Sequence, residues 1–172
     1  YERQDGLKKI LIRDLRNHKD HIIENPESVY TTLAGTNLEY TTDVLRYDYT
    51  SLVTPLSTYD YNMVTKTRTL KKQQEVPGYD GRQYITERVF AEASDGTKIP
   101  MSLVYKTGLK KNGNSPALLY GYGSYGLSMD PAFSAARLSL LDRGFVFAIA
   151  HIRGGSELGR SWYDHGKLLE KK

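Results

Sequence analysis

Three glycines at the spacing G-x-G-x-x-G, Gly121, Gly123 and Gly126, follow directly on the short apolar run Ala117 to Tyr120 in A-L-L-Y-G-Y-G-S-Y-G-L-S-M-D. Between a strand and a helix, that spacing can bring backbone N–H groups against the pyrophosphate of a dinucleotide. Two features of the neighbouring residues argue against it. L-S-M-D-P separates Gly126 from a first helical turn expected at Pro131, whereas a phosphate-binding helix opens within the glycine motif. Three of the loop's other positions are Tyr120, Tyr122 and Tyr125, whose bulk hinders close approach of a phosphate but whose hydroxyls can donate in an apolar cleft. His151, Ile152 and Arg153, expected at the end of the following strand, include no acid for a ribose 2′-hydroxyl, and Arg153 suits at best a 2′-phosphate. An NADP-binding oxidoreductase is therefore an alternative, not the favoured reading.

Other chemistries leave fewer traces. A nucleophile elbow needs G-x-S-x-G, but Ser124 has Tyr122 two before it and Ser156 has Leu158 two after it. The four histidines, His18, His21, His151 and His165, show no metal-ligand spacing and read as surface or capping residues. No cysteine is present, which excludes thiol catalysis, disulfides and Cys-type zinc sites and fits a reducing, cytoplasmic setting. No cofactor and no metal is expected. The net charge of +4 is scattered, without the basic stripe that tracks a phosphate backbone, so nucleic acid is not an expected partner. No apolar run approaches the ~18 residues of a membrane span, and no h-region of a signal peptide opens the sequence. The 172 residues are 39% apolar and 26% charged, the balance of a soluble globular chain.

The elements that would position this loop change character along the sequence. Leu45, Tyr47, Tyr49, Ser51 and Val53 alternate with polar residues, S-T-Y-D-Y-N-M-V alternates again, and R-T-L-K-K-Q-Q follows the turn Thr65-Lys66-Thr67. Closely spaced strands of this kind build sandwiches or propeller blades. Leu7, Leu11 and Leu15 fit either strand or helix. Turn residues at Pro77-Gly78-Tyr79-Asp80-Gly81 mark a boundary. Beyond it, strands over Tyr84–Ala91 and Ile99–Tyr105 flank Asp95-Gly96, a hairpin signal because both residues tolerate positive φ. P-A-L-L-Y, a helix from Pro131 and the apolar run F-V-F-A-I-A-H-I then read as strand, helix, strand, with both strands buried in a parallel layer. The sequence begins without Met and ends at K-L-L-E-K-K within a helical pattern, as a piece of a longer chain would.

The long stretches Y-G-Y-G-S-Y-G-L-S-M-D-P-A-F-S and R-L-S-L-L-D-R-G-F-V-F-A-I-A-H-I-R-G-G-S-E-L-G-R-S-W-Y-D-H-G-K-L-L-E-K-K closely resemble the prolyl oligopeptidase family of serine peptidases, in its branch that cuts after basic residues. The upstream Y-T-S-L-V-T-P, Y-D-Y-N-M and K-K-Q-Q-E-V-P-G-Y-D resemble it too. The resemblance implies the β-rich end of a seven-bladed β-propeller over residues 1–73, followed over 74–172 by the start of an α/β-hydrolase domain. It also turns Leu7 to Leu15 toward strand. The implied activity is cleavage of short basic peptides after Lys or Arg by a Ser, Asp and His triad lying beyond these 172 residues. The implied partners are those substrates and the remainder of the chain's own propeller and hydrolase domains.

By the same resemblance, Tyr122, the second tyrosine of Y-G-Y-G, completes the oxyanion hole, and Tyr125 lines the pocket for the residue before the scissile bond. Asp130 stands at the first of two acidic positions forming a subsite for a second basic residue. The other is Ala132, which departs from the pattern and puts a paired-basic preference in doubt. Asp130 before Pro131 also suits a helix start. Ser156 replaces a usual glycine, and Arg153 and Glu157 are expected to make structural ion pairs or turn contacts. A non-catalytic interaction module that has lost the nucleophile is the other alternative.

Overall fold

The computed structural model describes residues 1–171. Its first part is antiparallel strand throughout. β1 (Glu2–Gln4) pairs with β2 (Leu7–Lys9), and β3 (Leu11–Asp14) with β4 (Lys19–Ile22). The segment that fits both periodicities, Leu7 to Leu15, is therefore two short strands. β5 (Tyr30–Ala34), β6 (Val44–Ser51), β7 (Ser57–Asn62) and β8 (Thr67–Gln73) then form a four-stranded meander in chain order.

Tyrosines supply most of this core. Tyr47, Tyr49 and Tyr61 are buried with Leu7, Ile10, Ile23 and Tyr30, and Tyr30–Tyr49 and Tyr47–Tyr59 stack with centroids 5.7 Å apart, within the range where aromatic pairs attract. The alternation read in β6 holds as far as Tyr49, after which Thr50 and Ser51 are both buried. The second part of the chain covers the other face there: the Phe133 N–H donates to Thr50 Oγ1 at 3.2 Å.

That second part is built on β9 (Tyr84–Glu92) and β10 (Lys98–Lys106), paired along their full length. The hairpin foreseen at Asp95-Gly96 is present, but only Gly96 takes positive φ, at +79°. Asp95 instead turns its side chain onto the Thr97 N–H, 3.0 Å away. β11 (Ala117–Tyr120) runs parallel to β12 (Val146–Ala150), which also pairs with β10, giving the order β11-β12-β10-β9. β12 is buried between its two neighbours, whereas β11 is the edge and is exposed along its length, against the expectation that both strands are buried.

Between them lies helix α1 (Ala135–Leu141), which opens later than the start expected at Pro131. The physical reason is tertiary: the Asp130 carboxylate and the Phe133 N–H are both engaged by the strand-rich part, so Asp130 to Phe133 stays outside the helix. The sequence's last helical pattern is also shorter than it reads. α2 (Arg160–Asp164) is followed by Lys167 in extended conformation and one 3-10 turn over Leu168–Glu170. A second core joins the two parts, with Val29, Leu52 and Val53 of the first packed against Val104, Leu141, Phe147 and Ile149 of the second.

Candidate active site

The glycine loop leaves the exposed end of β11 and turns back over the segment that follows β12. Gly123 (φ +56°) and Gly126 (φ +68°) lie in the left-handed region, where glycine carries no Cβ penalty. A Cβ on Gly123 would also stand 2.7 Å from the Arg153 carbonyl oxygen, closer than real contacts allow. Gly154 presses on the Gly123 carbonyl from the other side, and Gly166 packs on Gly154 in turn. The Gly126 N–H donates to the Gly154 carbonyl at 2.9 Å, and the Gly154 N–H to that of Trp162 at 2.9 Å. Gly123 is thus explained by backbone packed on backbone and Gly126 by its left-handed φ, and together they fix the loop's shape.

What the loop presents is tyrosine. Tyr122 is 39% exposed and Tyr125 84% exposed, and Tyr125 has φ +56°, uncommon for a bulky side chain. The Lys171 ammonium donates to the Gly123 carbonyl. Asp130, at the far end of the loop, faces the first hairpin: its carboxylate lies 2.8 Å from Arg3 Nη1 and 2.7 Å from Lys8 Nζ. Burial pushes the Asp130 carboxyl up, but these two cations outweigh it and hold the group below its ordinary value.

Behind the loop is a buried polar cluster. His151, read from sequence as a surface or capping residue, is 2% exposed, because β12 carries it into the interior. Its Nε2 lies 2.7 Å from Ser102 Oγ, and its Nδ1 faces Glu157 Oε1 at 3.8 Å. Arg88 Nη1 donates to Ser102 Oγ at 3.3 Å, which leaves the serine proton for His151 Nε2 and the imidazole proton on the side of Glu157. The order serine, histidine, carboxylate imitates an acyl-transfer triad. Ser102 is 0% exposed, so no substrate carbonyl can reach it, and the cluster is structural.

Glu157 connects this cluster to the loop by accepting the Met129 N–H at 2.8 Å. Burial raises its carboxyl, while His151 and the Met129 N–H more than compensate and bring it below the usual value. Trp162 Nε1 donates to the His151 carbonyl at 3.1 Å. Of the other histidines, His18 lies exposed in a turn and His165 caps α2, while His21 meets the Tyr61 hydroxyl at 3.0 Å.

Arg153 reaches away from the loop to Asp95, 2.5 Å distant, and to Thr97, where it pins the β9–β10 hairpin and holds the Asp95 carboxyl well below the usual range. It is the structural contact expected of it, and it is not free for a 2′-phosphate. Glu157 likewise makes the structural contact expected of it, through the Met129 N–H, whereas the part Gly154 plays in holding the loop was not read from R-G-G-S-E. Arg3 and Lys8 carried no local signal at all. Among the described residues no three His, Asp or Glu side chains gather as a metal site, and no helix is long and apolar enough to cross a membrane.

Known proteins resemble this chain in sequence and in fold. Residues 1–74 match the family described as Prolyl oligopeptidase, N-terminal beta-propeller domain, and residues 131–172 match the Prolyl oligopeptidase family. A dipeptidyl aminopeptidase BI of Pseudoxanthomonas mexicana is 51% identical over 99% of this chain and 24% of its own length. Protease 2 of Moraxella lacunata is 39% identical over the same shares. Among solved structures, oligopeptidase B from Leishmania major superposes with a TM-score of 0.85 at 42% identity, over 99% of this chain and 25% of that one. Oligopeptidase B from Trypanosoma brucei with covalently bound antipain gives 0.88 at 37% identity, over 98% and 25%. The chain spans about a quarter of the length of the curated relatives it matches.

Proposed function

Because the chain belongs to the prolyl oligopeptidase family, the end of a β-propeller followed by the start of a peptidase domain, we propose that it is part of a serine-type oligopeptidase that cleaves short peptides after Lys or Arg. In this reading residues 1–73 belong to the propeller and 74–172 to the hydrolase domain. The Ser that attacks the peptide, the His that takes its proton and the Asp that orients the His are supplied by sequence following these residues. The observation that carries the reading is the glycine loop itself, rigidly held through Gly123, Gly154 and Glu157 yet offering the Tyr122 ring to solvent.

Tyr122 donates its phenolic O–H to the oxyanion of the tetrahedral intermediate, together with a backbone N–H beside the nucleophile. A donor fixed before the reaction stabilises developing charge without reorganising, which is why the rigidity of the loop matters. Tyr125 lines the pocket for the residue preceding the scissile bond. The relatives' names span a dipeptidyl aminopeptidase and prolyl endopeptidases, so basic specificity rests on the likeness to oligopeptidase B. A cytoplasmic location belongs to the same reading and is checked by fractionating cells.

In the full-length protein, Tyr122→Phe is expected to lower kcat about 100-fold with little change in KM, since the lost hydrogen bond forms only in the transition state. Steady-state kinetics on a peptidyl-arginine coumarylamide reads this directly. Unchanged kcat would remove Tyr122 from the oxyanion hole.

A further inference from the structure

Asp130 is the end of the loop that the strand-rich part holds. Arg3 and Lys8 stand directly opposite each other in the β1–β2 ladder, and both reach the one carboxylate: Arg3 Nη1 to Oδ1 at 2.8 Å, Arg3 Nη2 to Oδ2 at 3.2 Å, Lys8 Nζ to Oδ2 at 2.7 Å. Like charges at facing positions of a ladder repel, so this pair depends on an anion between them. Among the described residues neither cation has a second carboxylate within ion-pair distance. The Arg3 guanidinium is further fixed by the Gly6 carbonyl at 3.0 Å. Asp130 is fixed from its own side, since Met129 N–H is bound by Glu157 and Phe133 N–H by Thr50.

We propose that Arg3 and Lys8 neutralise Asp130 and mask it from substrate cations, so that a basic residue next to the cleaved Lys or Arg brings no advantage. The specificity half of this inference rests on the peptidase reading above. The charge count supports it: one carboxylate under two cations leaves a local excess of positive charge, and a third cation arriving from a substrate meets repulsion where a bare carboxylate would attract it. Ala132 supplies no second carboxylate to offset this. Arg3 and Lys8 thereby set specificity from the propeller side of the interface.

The test uses the full-length protein with two coumarylamides, one ending in Gly-Arg and one in Arg-Arg. For the unaltered protein the ratio of kcat/KM between them is expected to lie within about threefold of one. In Arg3→Met/Lys8→Met the ratio is expected to rise about tenfold in favour of Arg-Arg, through KM. A tenfold preference for Arg-Arg already in the unaltered protein, abolished by Asp130→Asn, would overturn the proposal. A readout free of activity is the thermal midpoint in a cycle of Asp130→Asn with Arg3→Met/Lys8→Met. Asp130→Asn is expected to lower the midpoint in the unaltered protein and to leave it nearly unchanged in the double variant, and additive effects would overturn the masking. Failure of both substrates with a non-additive cycle would reject the peptidase reading while upholding the masked carboxylate.

Discussion

In the β5–β8 meander every ladder joins strands that follow one another in sequence, and tyrosines on successive strands fill the core between them. Around the glycine loop the decisive contacts join residues far apart in the chain: Gly123 meets Arg153 and Gly154, Met129 meets Glu157, Asp130 meets Arg3. One region is held by side-chain volume, the other by backbone approach and buried polar bonds. A core of side chains can relax around a smaller residue. Two main chains in contact have nothing to give, and a site placed there keeps its geometry at the cost of tolerance.

The largest effect is expected where backbone meets backbone. Gly154 has φ +98°, and a Cβ there would clash with the Gly123 carbonyl oxygen and lie 2.7 Å from that of Gly166. Gly154→Ala is expected to cost about 4 kcal/mol, at the upper end of single substitutions, and to abolish activity, as urea unfolding and kinetics would show. Gly96→Ala is the matched control, because its φ is also positive but nothing lies within 4 Å of a Cβ there. It should cost about 1 kcal/mol. Equal costs at the two glycines would break the comparison.

In the tyrosine core, Tyr47→Ala is expected to cost about 3 kcal/mol while leaving kcat within about twofold, since its ring is fully buried among β-strand neighbours away from the loop. Next comes Glu157→Ala, expected to cost about 2 kcal/mol by leaving the Met129 N–H without its acceptor. It should also lower kcat with the displaced loop. Glu157→Gln, which can still accept the Met129 N–H, should recover most of kcat. Loss of activity in Tyr47→Ala with none in Glu157→Ala would reverse the division between the two regions.

The smallest effect is a pH dependence. Asp130 has its folded carboxyl held below the ordinary value of 3.8, so it contributes stability that is fully present above that value and is lost as pH falls through the lower folded one. Asp130→Asn should therefore destabilise the protein at neutral pH and flatten the acid limb of a denaturation profile below about pH 4. A variant whose acid limb is unchanged would remove Asp130 from the interface.

Much of the strand-rich part was legible in the sequence because period-2 alternation is local, and β6 and β7 are found where Tyr47 and Tyr61 suggested them; in the second part β9 stands where the residues from Tyr84, flanking the Asp95-Gly96 turn, suggested it. The loop was legible as a feature and misleading as a motif, since glycine spacing is the same whether the neighbour is a phosphate or a second main chain. The Pro131 helix start failed because Asp130 and Phe133 found partners across the interface. His151 was missed because a histidine closing an apolar run has no local mark of burial.

By itself the sequence determined the order of elements, the change from antiparallel to parallel strands, the tyrosines available to the loop and the family to which the chain belongs. Only the tertiary structure decided what the glycines are for, that Ser102, His151 and Glu157 stand together out of reach of any substrate, and that Asp130 is claimed by Arg3 and Lys8. Periodicity and turn chemistry act between near neighbours and are written in the order of residues. Steric exclusion between main chains and the pairing of charges act across space, and they have no partner until the chain has folded.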